Sequence, residues 1–140
     1  NQIALTGANF TPDAKSDKAA AFEKSASHWV SRSTDNYVYI NVFDYDPSWE
    51  IEVTENGKAL TTELVKAKDP LHLVSYEAKR YNANANPTSS FNAYSVSSHL
   101  FRVRASSSSS TLEIKVTDRF GNTATETMKR PKAFSINAYK

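Results

Sequence analysis

The chain has 140 residues, 39% of them hydrophobic and 23% charged, which suits one globular domain with a core of its own. The net charge is +2 and the lysines and arginines are dispersed, so the basic cluster of a nucleic-acid-binding surface is missing. Cysteine is absent, which excludes disulfides, a thiol nucleophile and cysteine-bound metal, and no apolar run nears the roughly 18 residues needed to span a bilayer.

In chain order, no signal peptide is evident, and Asn1-Gln2-Ile3-Ala4-Leu5 without an initiator methionine reads as a processed chain or an excised fragment. Residues 1–36 form an N-terminal connecting segment packed on the domain made by residues 37–140. Ala19 to Lys24 supports a helical turn or two, and Phe22, Ala26, Trp29 and Val30 make a short apolar face. A structureless segment of that length is uncommon within a compact domain, so something must pin it; Trp29 is the expected anchor.

Residues 37–140 have the texture of a β-sandwich. Tyr37 to Phe43 alternates, with Val38, Ile40 and Val42 on one face and Tyr37, Tyr39, Asn41 and Phe43 on the other. Asp44-Tyr45-Asp46-Pro47-Ser48 breaks that strand, and Trp49 to Thr54 starts the next, with Trp49, Ile51 and Val53 inward. Glu55-Asn56-Gly57-Lys58 is a turn in which Asn-Gly supplies positive φ. Leu71 to Ala78 fits a strand or a short helix, with strand or extended chain the favoured reading, and Asn82 to Ser90 reads as loop. Ser98 to Arg104 is a strand with Phe101 and Val103 on one face and Arg102 and Arg104 on the other. The serines 106–110 read as a flexible connector. Leu112, Ile114 and Val116 then alternate with polar residues, and Asn122 to Met128 returns after the loop Thr117-Asp118-Arg119-Phe120-Gly121-Asn122. Six to eight short strands without βαβ units predict an all-β, immunoglobulin- or fibronectin-like β-sandwich with a long, partly irregular N-terminal segment.

Candidates for chemistry are few. Asp44 and Asp46 flank Tyr45 but fall short of the six to eight oxygens that calcium takes, so they read as a turn capping its own amides. Glu50 and Glu52 share a solvated strand face rather than flanking a cleft as a glycosidase pair does. His28, His72 and His99 lack the spacing of a zinc site. There is no G-x-S-x-G elbow, and three glycines cannot build a phosphate-cradling loop. A hydrolase using His99 with Asp44 or Asp46 requires those groups to meet within hydrogen-bond reach. Tyr37, Tyr39, Phe43, Tyr45, Trp49, Tyr76 and Tyr81 fit core and rim better than a stacking platform.

The stretches "INVFDYDPSWEIEVTENGK" (40–58), "DPLH" (69–72), "SSHLFRVRAS" (98–106) and "LEIKVTDRFGNTATETM" (112–128) together resemble, in order and spacing, the C-terminal domain that follows the catalytic domain of bacterial calcineurin-like metallophosphoesterases. The similarity extends over residues 37–131, and the tail "RPKAFS" (130–135) is compatible with the family's end. The catalytic domain of such enzymes carries D-x-H, G-D-x-x-D, G-N-H-D/E and G-H-x-H motifs for a two-metal site. None occurs here: the glycines are followed by Ala8, Lys58 and Asn122, and Gly121-Asn122 leads into Thr123. The resemblance therefore implies a non-catalytic accessory module without catalytic, cofactor-binding or metal-binding residues, attached to a catalytic domain that binds two divalent metal ions. It also implies export to the periplasm or cell surface. The expected partner is that catalytic domain, not a nucleic acid or a membrane, and Tyr45, Trp49, His99, Arg119 and Phe120 are the expected contacts between domains or with a ligand. The alternative is an immunoglobulin-like module that binds carbohydrate or protein through surface aromatics.

Overall fold

A computed structural model describes residues 15–24, 36–67, 76–77, 79–87 and 97–130. Among these residues, seven strands form two antiparallel sheets: β1 (Tyr37–Asn41), β2 (Glu50–Glu55), β3 (Lys58–Ala59), β4 (Glu63–Ala67), β5 (Ser97–Arg104), β6 (Leu112–Thr117) and β7 (Thr123–Met128). One sheet has the order β1-β5-β4 and the other β3-β2-β6-β7. Two α-helices accompany them among the described residues, α1 (Asp17–Lys24) and α2 (Lys79–Asn82).

The core follows from the period-two alternation of the strands. Val38, Ile40, Phe101 and Val103 of the first sheet meet Val53, Leu112, Ile114, Val116 and Met128 of the second, with Val42 and Ala105 at the margins. In β6 every second residue from Leu112 is buried, and Glu113 and Lys115 between them face water. Registering the strands one residue out would turn this row into solvent, which is what fixes the pairing of Val53 with Ile114 and of Leu112 with Met128. Ion pairs such as Lys115–Glu52 at 2.8 Å lie on the wet face and add little stability. β1 departs from simple alternation: Tyr39 and Asn41 are buried as well as Val38 and Ile40, so both faces of this strand are out of water.

The Asn56-Gly57 turn forms as expected, with φ of 51° and 75° between the paired residues Glu55 and Lys58. These angles are those of the two-residue hairpin whose twist matches its strands. A Cβ on Gly57 would meet nothing within 4 Å, so Gly57→Ala tests backbone conformation alone. It should destabilise the chain by about 1 kcal/mol, read as a lower midpoint in urea with unchanged slope.

Several elements differ from expectation. Glu55 ends β2 as a buried residue instead of belonging to the turn. β1 stops at Asn41, and Phe43 and Asp44 already turn, with Asp44 at φ 57°. β4 and α2 carry no alternating pattern; β4 exists because Glu63, Leu64 and Val65 pair with Arg102, Phe101 and Leu100. Tyr76 and Glu77, where extended chain is favoured over a short helix, take the helical alternative as a wide turn ahead of α2, whereas 71–75 and 78 fall outside the described residues. The Trp29 anchor also falls outside them. What pins the N-terminal segment, among the described residues, is α1. Ser16 caps it by accepting from the Ala19 amide at 3.1 Å, and its hydroxyl donates to the Tyr81 carbonyl. The Lys15 amide donates to Asn82 Oδ1 at 2.7 Å, and Lys18 Nζ donates to the Asn84 carbonyl and Asn86 Oδ1. The helix is thereby tied to the crossover between β4 and β5.

Candidate functional site

The strand registers bring two loops to one end of the sandwich. Glu50 pairs with Thr117, so the entry to β2 stands beside the tip of the β6–β7 hairpin. Asn41 pairs with Leu100, and Ala67 with Ser97, so the β1–β2 loop and both feet of the β4–β5 crossover share that end. All five expected contact residues gather there.

Each owes its position to a local cause. Tyr45 leans on the core, its ring edge-on to Phe101 with centroids 4.9 Å apart. Trp49 is half-buried against the same core, and its amide donates to the Asp46 carbonyl at 2.9 Å. Asp46 Oδ1 accepts from the Ser48 amide at 2.9 Å and from the Ser48 hydroxyl at 2.5 Å, closing the turn before β2. These bonds from Ser48 hold the Asp46 carboxyl below its ordinary range, and the charge of Arg119 from the facing loop adds to the effect. This is the self-capping turn expected for Asp44 to Ser48.

The β6–β7 tip is organised around Asp118. Its Oδ1 accepts from the amides of Phe120 at 2.8 Å and Asn122 at 2.9 Å, and its Oδ2 accepts from Asn122 Nδ2 at 2.8 Å. The Asp118 amide donates to the Asn122 carbonyl, the Gly121 amide donates to the Asp118 carbonyl, and Gly121 takes φ 84°. The Asn122 side chain, followed by the backbone amides, lowers the Asp118 pKa. Turn closure therefore uses Asp118, Gly121 and Asn122 and leaves the neighbouring pair free of that task. Phe120 is 75% exposed, with the Arg119 guanidinium 4.7 Å from its ring centroid. Phe120 does not dock within the described part of its own domain.

His99 is half-buried, with Nδ1 2.6 Å from Asn41 Oδ1. The amide oxygen can only accept, so Nδ1 is the donor in this contact. Its hydrogen-bond partner is thus Asn41 and neither Asp44 nor Asp46, which removes the pairing the hydrolase reading required. Sequence reasoning missed Asn41 in this role. Its signal was an amide closing a run of aromatic and β-branched residues, where a buried polar group calls for a partner. Phe43, 43% exposed, has its ring 6.0 Å from that of His99.

The aromatic set does not assemble into one platform. Tyr39 is buried, the Arg102 guanidinium lies 4.5 Å over Tyr37, and the Arg80 guanidinium lies 3.6 Å over Tyr76. No group of three His, Asp or Glu side chains able to hold a metal ion occurs among the described residues; His28 and His72 lie outside them. At the opposite end a groove is lined by Asn36, Glu55, Lys58, Leu60, Arg104 and Ser106. Both carboxylate oxygens of Glu55 there accept from the Ser106 amide, at 3.0 and 3.1 Å, so its acid is committed to structure.

No helix among the described residues is long and apolar enough to cross a membrane. No curated protein and no solved structure gives a significant match to the chain. One family does, that described as the C terminal of calcineurin-like phosphoesterase, over residues 7–123, taking in α1 and every strand up to the first residue of β7. The chain belongs to this family, the C-terminal domain of calcineurin-like phosphoesterases.

Proposed function

We propose that the chain is a non-catalytic accessory module that packs against, and orients, the catalytic domain of a calcineurin-like phosphoesterase in the same parent protein. The carrying observation is the family match over residues 7–123 in a chain whose sequence holds none of the two-metal motifs. In this reading residues 1–36 connect the domains and 37–140 form the module, and the metal ions belong to the catalytic domain. An immunoglobulin-like architecture belongs to the same proposal, and the order β1-β5-β4 facing β3-β2-β6-β7 supports it by matching strands B-E-D opposed to C′-C-F-G. Export to the periplasm or cell surface belongs to the same proposal and is read by fractionating cells that carry the parent protein.

The purified chain, incubated with p-nitrophenyl phosphate or its diester and added manganese or zinc, should show no turnover above buffer. Sustained turnover abolished by a chelator would overturn the non-catalytic assignment. A glycan array run on the same sample checks the competing use of the surface. Saturable binding lost on Trp49→Ala, with the fold retained, would replace the accessory reading by a carbohydrate-binding one.

A further inference from the structure

We propose that the loop end of the sandwich is the face that meets the catalytic domain, with Phe120 as its anchor and Asp118 as the residue that positions it. This rests on the accessory reading above and adds to it the surface and the residues.

Three large apolar side chains are exposed among the described residues: Phe120, Leu64 and Phe43. Single exposed apolar residues are ordinary, but two of these three share one end with Trp49 and Tyr45. The opposite end exposes Asn56, Gly57, Lys58, Ser106, Ser108 and Ser109. Among the described residues, that end offers no exposed apolar centre of the kind a lasting interface needs.

Phe120 has the further property of being held before any partner arrives. Asp118 accepts from the Phe120 amide and from both nitrogens of Asn122, so the backbone carrying the ring is fixed from both sides. The ordering entropy that a loose loop would lose on docking is then already spent, which favours association. Arg119 above the ring supplies a cation at the edge of the same contact, and aromatic residues with arginine are the side chains on which interface energy concentrates.

The catalytic domain is the occupant for two reasons. Family membership places a phosphoesterase domain in the parent chain. In addition, α1, which precedes the sandwich in sequence, is tied to α2 of the crossover whose feet, Ala67 and Ser97, stand at this end.

The test uses the full-length parent, with the photocrosslinker p-benzoylphenylalanine replacing Phe120, Leu64 or Lys58 in separate samples. Cross-links from position 120 into catalytic-domain peptides of the same chain, with none from position 58, are the expected result. Cross-links to that domain from 64 or 58 but not from 120 overturn the loop-end assignment and leave the accessory reading standing. Their absence from all three positions overturns both. Cross-links from 120 that join two copies, seen with mass-labelled mixtures, make the occupant a second copy and also overturn the proposal. In the position-120 sample, Asp118→Ala should cut the yield at least about fivefold, whereas Asp118→Asn should keep most of it, because its amide oxygen still accepts from the two backbone amides. Equal yields in these two variants, both shown folded by an unchanged melting transition, overturn the positioning role of Asp118.

Discussion

Leu112→Ala should lower the unfolding free energy by about 3 kcal/mol, among the larger losses expected from truncating an aliphatic residue in this sandwich. Leu112 has no exposed surface and opens β6, the central strand that pairs with β2 on one side and β7 on the other. Its partner across the ladder is Met128, buried at the end of β7, and Glu55 stands opposite it on β2. Truncation removes three carbons from a site enclosed on all sides, and paired backbone on both flanks resists the inward movement that would refill it. For a domain with a total stability of about 5–15 kcal/mol, that is a large share. Urea denaturation should show the midpoint fall while the slope holds. Glu113→Ala on the same strand, exposed and facing water, is the matched control and should change stability by less than about 0.5 kcal/mol. A core that collapsed around the missing side chain would instead bring Leu112→Ala below about 1 kcal/mol, and the enclosed description of this layer would then be incorrect.

The same layer is the part most open to prediction from sequence, for a physical reason. In β6 the pattern of Leu112, Ile114 and Val116 alternating with Glu113, Lys115 and Thr117 has one solution at the strand period, and the structure adopts it. Asn56-Gly57 is likewise determined locally, because few other residue pairs take two successive positive φ values without strain. β4 is opaque to sequence because its existence is a tertiary fact: Leu64 and Val65 are adjacent, so no alternation marks the strand, and Leu64 remains 54% exposed at the sheet edge. The site divides the same way. The tip chemistry of Asp118, Gly121 and Asn122 depends on five consecutive residues and is readable from them. The bond between His99 and Asn41, 58 positions apart in sequence, depends on the pairing of β1 with β5 and is not. That Tyr45, Trp49, His99, Arg119 and Phe120 share one end follows from strand order, which alternation alone does not specify.

The serines 106–110 depart furthest from their compositional reading, and they yield the second large effect. Composition predicts a flexible connector, yet three of them are held from two sides. The Ser106 amide donates to Glu55, while Arg130 Nη1 donates to the Ser107 carbonyl at 2.8 Å and to the Ser110 hydroxyl at 3.3 Å. Glu55 and Arg130 are both 8% exposed, so each charge has left water and depends on the other and on the serines. Arg130→Ala should therefore cost about 3 kcal/mol, since it strips donors from a carbonyl and leaves a buried carboxylate without its countercharge. Arg130→Lys should cost less, because Arg130 Nε has no partner to lose and an ammonium can replace the single nitrogen that bonds.

The pH dependence gives an independent check on the same cluster. Burial alone would raise the Glu55 pKa, but hydrogen bonds from Ser110 and Ser106, with Arg130 nearby, outweigh it and bring the folded value below the ordinary 4.5. The unfolded chain then binds the proton more readily than the folded one. The stabilisation from this group is complete above the ordinary value and is lost as pH falls through the depressed one. Glu55→Gln should consequently lower stability at pH 7 yet match the parent chain once the pH drops below the folded value, so the two stability curves converge on the acid side. Asp118, lowered in the same direction and half-exposed, contributes to the acid slope of both proteins and does not affect their convergence. Curves that stay parallel down to pH 2 would mean that Glu55 carries no ionised role, and the serine turn would then be held by Arg130 alone.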